Sequence, residues 1–288
     1  MYDQASALRR LAGERDSAFA KSMRVLAVSS GKGGVGKTSL VVNLALALAD
    51  YNYRVIILDG DLGLANVDVA FGITPRYNIR NLLNGEKNIE EIIYPVEKGV
   101  KILPGASGVM ELANLDRGRL QNVLVNLGRL EKMADILLID TGAGLGHNTL
   151  NFICASDDCI LVLTPEPPSM TDAYGLLKSI HKQAEKINVN VVVNRVKSET
   201  EAQQAYERLA YAAQKFLGFP LRLLGWIYDD PLVGRSVMEQ KPLALSHPQS
   251  HAYKCIQWIA GNVVGIYRQP PTPNGGIKGF LSTLLSSN

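Results

Sequence analysis

Residues 29–40 read SSGKGGVGKTSL, and this glycine-rich stretch decides the fold. Four of its residues fit the pattern G-x-x-x-x-G-K-[ST]: Gly31, Gly36, Lys37 and Thr38. An apolar run at 24–30 predicts a strand before the stretch, and the pattern at 38–50 predicts a helix after it. Glycines let backbone N–H groups turn around phosphate oxygens, and the helix presents its positive N-terminal end to the anion. The stretch therefore predicts a phosphate-binding loop between a strand and a helix.

The residue types in this loop indicate a bound nucleotide with magnesium. Lys37 is expected to reach the β- and γ-phosphates, and the Thr38 hydroxyl is expected to bind Mg²⁺. The predicted nucleotide contacts are all of the loop residues: Gly31, Lys32, Gly33, Gly34, Val35, Gly36, Lys37, Thr38 and Ser39. The pattern itself requires only one lysine, so the presence of Lys32 needs a separate explanation.

Three aspartates follow predicted strands and indicate chemistry at the phosphates. Asp140 ends the apolar run 135–140, where a magnesium-binding aspartate is expected. Asp59 ends the run 54–59, and Asp61 follows it. We predict that Asp61 orients the attacking water, whereas Asp59 either supports the loop and the metal shell or only caps a helix or turn. The predicted magnesium contacts are Thr38, Asp59, Asp61 and Asp140. The predicted catalytic residues are Lys32, Lys37, Asp61 and Asp140.

Apolar runs alternate with helical patterns along most of the chain. Predicted strands lie at 24–30, 54–59, 100–104, 135–140, 158–164, 188–194 and 221–227. Predicted helices lie at 38–50, 171–186, 200–217 and 249–266. Continuous runs of Val, Ile and Leu suit strands that are buried on both faces. The alternation predicts an α/β fold with a mostly parallel central sheet flanked by helices, and a ligand beyond the carboxyl ends of the strands.

Composition narrows the class of protein. The chain has 288 residues and is 47% hydrophobic, which suits a globular protein with a sizeable core. Its formal net charge of +3 is small for a nucleic-acid binder. Its three cysteines form no CxxC pair, which favours a reducing cytoplasm. No apolar run approaches the roughly 18 residues of a membrane span. We therefore expect a cytoplasmic protein and no DNA binding.

The stretch GKGGVGKT (31–38) resembles the deviant Walker-A motif of the MinD/ParA class of P-loop ATPases, and Lys32 matches the signature lysine of that class. Two further stretches resemble the switch segments of the class, DGDLGLANVDV (59–69) and DTGAGLGHNT (140–149), although Thr141-Gly142 replaces the Ser-Pro common in MinD. The resemblance implies that the ligands are ATP or ADP with Mg²⁺ and that hydrolysis is slow. It also implies an ATP-dependent homodimer in which Lys32 reaches the nucleotide of the second copy, where an added cation stabilises the transferring phosphate.

The same resemblance, which covers nearly all of 23–266, assigns the base end of the site. Asn194 ends a predicted strand and matches the position whose side-chain amide reads adenine. Tyr228 stands in the stretch that closes over the base, where many relatives have proline.

Within the class, the chain resembles the flagellar-number regulators called FlhG, FleN or YlxH. LGLANVD with DTGAG is typical of them, and DQASALRRL (3–11) is similar to their N-terminal motif. The resemblance implies that residues 1–22 bind an FlhF-type GTPase and stimulate its hydrolysis, through contacts from Gln4, Leu8 and Arg9. It also implies a flagellar switch-complex protein or a transcriptional activator as further partners. A frayed polar terminus is the alternative.

The C-terminal residues form two further segments after a predicted ATPase domain at 23–267. RQPPTPNGG (268–276) has linker composition, and IKGFLSTLLSSN (277–288) has the period of an amphipathic helix. Its apolar face consists of Ile277, Phe280, Leu281, Leu284 and Leu285. This tail resembles the membrane-targeting tail of MinD, so we predict peripheral binding to an anionic membrane surface at the inner face of the cell membrane. Docking onto the protein's own surface is the alternative.

Two other functions stay open at this point. A ParA-type ATPase that partitions DNA or cargo would need a basic patch that forms on dimerisation, and the small net charge argues against it. A non-catalytic regulator would use the bound nucleotide only to stabilise its structure, and would act by binding a transcription factor or a GTPase. The presence of Lys37, Asp61 and Asp140 argues against a loss of nucleotide hydrolysis.

Overall fold

The computed structural model describes residues 23–61, 66–105, 125–183 and 187–266. The strands are β1 (Arg24–Ser29), β2 (Val55–Gly60), β3 (Tyr94–Pro95), β4 (Lys101–Leu103), β5 (Ile136–Thr141), β6 (Asp158–Leu163), β7 (Asn188–Val196) and β8 (Leu221–Tyr228). They form one sheet of eight strands in the order β3-β4-β2-β5-β1-β6-β7-β8. β3 pairs antiparallel with β4, and the other pairs are parallel.

Helices connect the strands and cover both faces of the sheet. The four longest are α1 (Lys37–Asp50), α7 (Pro167–Gln183), α8 (Glu199–Leu217) and α11 (His251–Val263). The others are α2 (Val67–Phe71), α3 (Ile79–Leu83), α4 (Ile89–Ile92), α5 (Leu130–Met133), α6 (His147–Ala155), α9 (Pro231–Met238) and α10 (Leu243–Ser246).

The apolar runs of the central strands are continuous because both faces of the sheet are buried. On β2, Ile57 packs into a large cluster that includes α1 and α11, whereas Ile56 and Leu58 pack into a second cluster with α3 and α4. Successive side chains of a strand point to opposite faces, so both sets must be apolar. This arrangement confirms the predicted α/β fold with a mostly parallel sheet.

Sheet order brings three loops together at one edge. β1 lies between β5 and β6, and β5 also pairs with β2. In this register, Asp140 pairs with Val28 on one side and with Asp59 on the other. The phosphate-loop candidate follows β1, and each aspartate is the last residue but one of its strand, so these groups meet at the carboxyl edge of the sheet.

All seven predicted strands are present, and the differences are one short edge strand, the ends of predicted helices and several shorter helices that were not predicted. β3 was not predicted, since it has only two residues and ends on a proline, which is tolerated at a sheet edge. The helix predicted from 171 begins at Pro167, because proline suits the first helical turn. The helix predicted from 249 begins after Ser250, whose hydroxyl accepts a hydrogen bond from the Tyr253 N–H and caps it.

The N-terminal segment 1–22 and the residues from 267 to 288 lie outside the described residues, so the predictions for them stay predictions. In the part of the chain that the structure describes, no helix has both the length and the apolar character to cross a membrane.

Candidate functional site

The loop after β1 requires glycine at two positions. Gly36 precedes α1 with φ of 90°, and a Cβ there would lie 2.4 Å from Asn194 Nδ2. A Cβ on Gly31 would lie 2.2 Å from the backbone carbon of Asp172, since α7 packs directly against the loop. A side chain at either position would displace its neighbour. The glycines of the pattern are therefore explained by packing and backbone geometry as well as by ligand access.

The start of α1 is suited to an anion. Among the residues described here, no side chain caps this helix, whose N-cap is Gly36. The first N–H groups of a helix lack intrahelical partners and carry a partial positive charge. Lys37 and Thr38 occupy the first turn and add a cation and a hydroxyl. This end of α1 can thus bind a phosphate group.

Lys37, Thr38 and Asp140 form one buried cluster. Lys37 Nζ lies 2.8 Å from Asp140 Oδ1, and the Thr38 hydroxyl donates to Asp140 Oδ2 at 2.6 Å. Asp140 is 0% exposed. Burial raises the pKa of its carboxyl, while the Lys37 ammonium and the Thr38 hydroxyl act in the opposite direction by stabilising the charged form. The structure therefore brings together three of the residues predicted from the sequence.

Asp59 holds the backbone of the segment that follows β2. Its carboxylate accepts hydrogen bonds from the N–H groups of Asp61 at 3.2 Å, Asn66 at 3.0 Å and Val67 at 3.2 Å. It is 4% exposed. Burial raises its pKa to about 6, with a further contribution from the charge of Asp140, although the three N–H donors lower it. These contacts include both the support of the loop and the capping of the start of α2, and the predicted magnesium contact of Asp59 stays a prediction.

Asp61 belongs to the first segment that resembles a switch and lies beside Gly142 of the second. Its Oδ2 accepts a hydrogen bond from Asn66 Nδ2 at 3.3 Å. Its Oδ1 lies 3.7 Å from the position that a Cβ would take on Gly142. The backbone N–H of Gly144 donates to the Ser30 carbonyl at 2.9 Å, which ties the loop after β5 to the loop after β1. Asp61 is therefore close to both loops and faces the cavity that they line.

Lys32 has a different environment from Lys37. Its side chain is exposed, as are Gly33 and Gly34 beside it. It forms none of the ion pairs found among the described residues. Its backbone carbonyl accepts a hydrogen bond from the Ser30 hydroxyl at 2.9 Å. The loop backbone is thus held while the ammonium faces outwards.

An open cavity of about 700 Å³ lies beside these groups, although Lys32, Asp59 and Asp140 are not among its lining residues. This volume is within the usual range of small-molecule sites. One end is lined by the loop residues, with Lys37, Thr38 and Asp61 among them. The rest is lined by the ends of β7 and β8 and by the stretch 229–242, which contains α9. The cavity is charged and polar at the α1 end, and largely apolar along α9.

At the end of β7, the side-chain amide of Asn194 is hydrogen-bonded within the protein. Asn194 lines the cavity, but its Nδ2 donates to the Val35 carbonyl at 2.7 Å, and its Oδ1 accepts from the Arg195 N–H at 2.9 Å. Its amide therefore supports the phosphate-loop candidate in this structure, and its predicted contact with adenine stays a prediction. Tyr228 is buried and lines the cavity, and burial raises the pKa of its hydroxyl.

Among the cavity residues that were not predicted, three have a structural role that can be named. Arg195 has a positive φ of 57° at an irregularity between β7 and β8, which is visible only in three dimensions. Asn43 is a single amide in the apolar run VVNLALALA, and that contrast is a usable signal. Asp230 precedes Pro231, and an aspartate followed by proline is a sequence signal for the start of a helix.

The donor set fits magnesium with a phosphate. Thr38 and Asp140 offer oxygen ligands, which Mg²⁺ prefers. Among the described residues, no group of three or more His, Cys, Asp or Glu is placed to hold a metal ion. Mg²⁺ is usually bound through one or two protein oxygens, with phosphate and water completing its shell. The residues present therefore suit a metal that arrives with a nucleotide.

Comparison with known proteins extends the similarity over most of the chain. A family model described as an AAA domain matches residues 23–193. The antiactivator FleN of Pseudomonas aeruginosa is 34% identical over 263 residues, which are 91% of this chain and 94% of FleN. The flagellum site-determining protein YlxH of Helicobacter pylori is 35% identical over 265 residues, which are 91% of this chain and 90% of YlxH.

A solved structure shows the same fold with a nucleotide. The septum site-determining protein MinD of Pyrococcus horikoshii, complexed with Mg-ADP, is 25% identical and gives a TM-score of 0.66, with 84% of this chain and 96% of that chain covered. The similarity therefore includes sequence, length and architecture, and is not limited to the loop at 29–40.

Proposed function

The chain belongs to the MinD/ParA-type P-loop ATPases, with FleN and YlxH among its relatives, and hydrolyses ATP; on that premise we propose that it is a dimerising switch that regulates flagellar number and placement. In this proposal, ATP favours a face-to-face dimer, the dimer binds partners and membrane, and hydrolysis returns it to the monomer. The observation that carries the proposal is the exposed Lys32, which adjoins Gly33 in the lining of a cavity that already contains Lys37.

We assign the nucleotide and magnesium contacts from the cluster at α1. Lys37 and the N–H groups at the start of α1 would hold the phosphates, and Thr38 with Asp140 would hold Mg²⁺. Bound Mg²⁺ would neutralise part of the negative charge of the phosphates. Asp61 faces the same cavity and would orient a water molecule, while Asp59 keeps the segment of Asp61 in place through three backbone N–H groups.

The exposed ammonium of Lys32 supports completion of the site by a second copy. An exposed cation contributes little to a charge in its own subunit because water screens it. Enclosed between two subunits, it would act in a less polar medium where its effect on developing phosphate charge is larger. Hydrolysis would then depend on dimerisation, which suits a switch.

Replacement of Lys32 by alanine tests this dependence. We expect ATP to bind but the dimer to form poorly or turn over slowly, with phosphate release reduced by roughly 10²-fold, the scale for loss of one charge-stabilising group. Light scattering after size exclusion and a phosphate-release assay would measure both effects. Lys254→Ala removes an equally exposed lysine on α11 and should behave like the wild type. Normal dimer and normal turnover in Lys32→Ala would contradict the proposal.

Membrane binding through residues 277–288 is the second part of the proposal. Five apolar side chains with one lysine should bind a bilayer weakly as a single copy, whereas two copies on one dimer gain by about 10²-fold or more through effective concentration. The support is the helical spacing of Ile277, Phe280, Leu281, Leu284 and Leu285. Membrane residence would then follow ATP occupancy.

Removal of residues 277–288 should abolish ATP-dependent sedimentation with anionic liposomes and leave nucleotide binding intact. Leu284→Glu, on the proposed apolar face, should act like the deletion. Ser282→Gln, off that face, should sediment like the wild type. Unchanged sedimentation of the deletion variant would show that this segment is not the membrane anchor.

Partner binding through residues 1–22 completes the proposal. Gln4, Leu8 and Arg9 lie in a segment similar to the N-terminal motif of FlhG-type proteins, so an FlhF-type GTPase is the first partner to test. FleN is an antiactivator, which supports a transcriptional activator as a further partner. YlxH is a flagellum site-determining protein, which supports a flagellar switch-complex protein as another.

A further inference from the structure

The side of the cavity along α9 has the composition of a base-binding surface. We call residues 229–242 the α9 wall. Five of its nine cavity-lining residues are apolar or small, namely Pro231, Val233, Gly234, Val237 and Pro242, and the other four are Asp229, Asp230, Ser236 and Lys241. Phosphate-binding groups lie at the other end of the cavity, at the start of α1. A ligand with one charged end and one flat apolar end fits this division.

One end of the α9 wall is fixed by Asp230. Its Oδ1 accepts a hydrogen bond from the Leu232 N–H at 3.0 Å and so caps α9. Its Oδ2 accepts from the Ala252 N–H at 3.2 Å, in the first turn of α11. One carboxylate thus joins the start of the wall to a helix that packs in the main core.

The other end is fixed by Asn43, which belongs to the phosphate-binding helix itself. Asn43 is 1% exposed, and its Oδ1 accepts a hydrogen bond from the Ala244 N–H at 2.8 Å, just beyond the wall in α10. Its Nδ2 donates to the Ser39 carbonyl of α1 at 2.7 Å. Both ends of the amide are therefore used, which fixes its orientation. This side chain connects the phosphate end of the cavity to the α9 wall.

Between these two anchors, α9 carries side chains that face solvent. Val237 is 59% exposed and Met238 is 86% exposed. Leu232 and Val233 of α9 pack against the main core and Ser236 is buried, so packing holds the inner side of the helix, while the side-chain hydrogen bonds at the two ends of the wall tie it to α1 and α11. A nucleoside triphosphate needs the distance between the wall and α1 to be correct, whereas a bare phosphate chain does not touch the wall.

We propose that Asn43 and Asp230 are positioning residues that set the spacing between the phosphate end of the cavity and the α9 wall, and thereby confer affinity for the nucleoside part of the ligand. The inference rests on the proposed nucleotide site and adds two residues to it. Neither residue is assigned a contact with reacting atoms. Asn43 holds the backbone N–H of Ala244. Asp230 holds the backbone N–H groups of Leu232 and Ala252.

The test compares two ligands on the nucleotide-free, full-length protein. Asn43→Ala and Asp230→Ala should each raise the Kd for Mg-ATP by about 10-fold, the scale expected when a buried N–H loses its partner, and change the Kd for inorganic tripolyphosphate by less than about 2-fold. Hydrogen exchange of the Ala244 N–H should become faster in Asn43→Ala without any ligand. Asp230→Asn keeps one acceptor oxygen and should give an intermediate Kd for Mg-ATP, even if a full truncation folds poorly.

The control variant is Asn262→Ala, which removes a comparable bond, from Asn262 Nδ2 to the Leu224 carbonyl at 2.9 Å, away from the cavity. It should bind both ligands like the wild type. Equal losses for Mg-ATP and tripolyphosphate, or unchanged affinity for Mg-ATP in both anchor variants, would overturn the inference while the proposed function stands. Failure of the wild type to bind Mg-ATP would overturn the proposed function together with the inference.

Discussion

Replacement of Lys37 by alanine is expected to lower ATP hydrolysis by roughly 10²- to 10³-fold or to abolish nucleotide binding, since it removes the principal cation at the phosphates. The structure adds a second effect. Lys37 Nζ is the partner of Asp140 Oδ1 at 2.8 Å, and Asp140 is 0% exposed. Loss of the ammonium leaves a buried carboxylate with the Thr38 hydroxyl at 2.6 Å but without its cation.

This second effect should be visible in the stability of the nucleotide-free protein. Breaking a buried ion pair by removal of one partner costs on the order of 3–5 kcal/mol. Without Lys37, burial leaves the folded-state pKa of Asp140 above its unfolded value, so the folded state binds more protons. The free energy of unfolding of Lys37→Ala should therefore fall as pH rises between those two pKa values. Denaturant unfolding at several pH values would measure this slope.

A double variant separates the loss of chemistry from the loss of stability. In Lys37→Ala/Asp140→Asn, no uncompensated buried charge is present, so stability should recover while hydrolysis stays lost. Lys98→Ala is the matched control, because Lys98 pairs with Asp50 at 2.6 Å on the surface and neither residue lines the cavity. It should change stability by no more than about 1 kcal/mol and leave hydrolysis intact. Normal turnover in Lys37→Ala would contradict the assignment of the site.

Replacement of Asp61 by alanine should separate ATP binding from ATP hydrolysis. Asp61 faces the cavity and contacts Asn66, but it is not part of the cluster of Lys37, Thr38 and Asp140. Its loss should therefore leave phosphate binding intact. Loss of a group that orients or activates water costs about 10²- to 10⁴-fold in rate. The variant should retain ATP and accumulate as a dimer.

Size exclusion with light scattering, with ATP and with ADP, would show this accumulation, and a phosphate-release assay would show the loss of turnover. Asp68→Ala is the control, since Asp68 lies in the same region on α2 and only accepts a hydrogen bond from the adjacent Val69 N–H. It should dimerise and turn over like the wild type. A monomeric Asp61→Ala at saturating ATP would count against the coupling between nucleotide and dimer.

Much of the fold was predictable because its signals are local. The sequence runs of β1, β2 and β5 are mainly apolar, as strands buried on both faces must be. Short helices such as α3 and α4 were not predicted, since four or five residues carry too little periodicity.

The sequence alone determined the class of site, because G-x-x-x-x-G-K-[ST] between a strand and a helix constrains backbone shape and chemistry within a dozen residues. Only the tertiary structure decided how the rest of the site is held. The hydrogen bond from Ala244 to Asn43 joins residues 201 positions apart, and the bond from Asn194 to Val35 joins residues 159 apart. Such contacts depend on which side chains the packed sheet and helices bring within about 3 Å of each other, a condition that no local pattern contains.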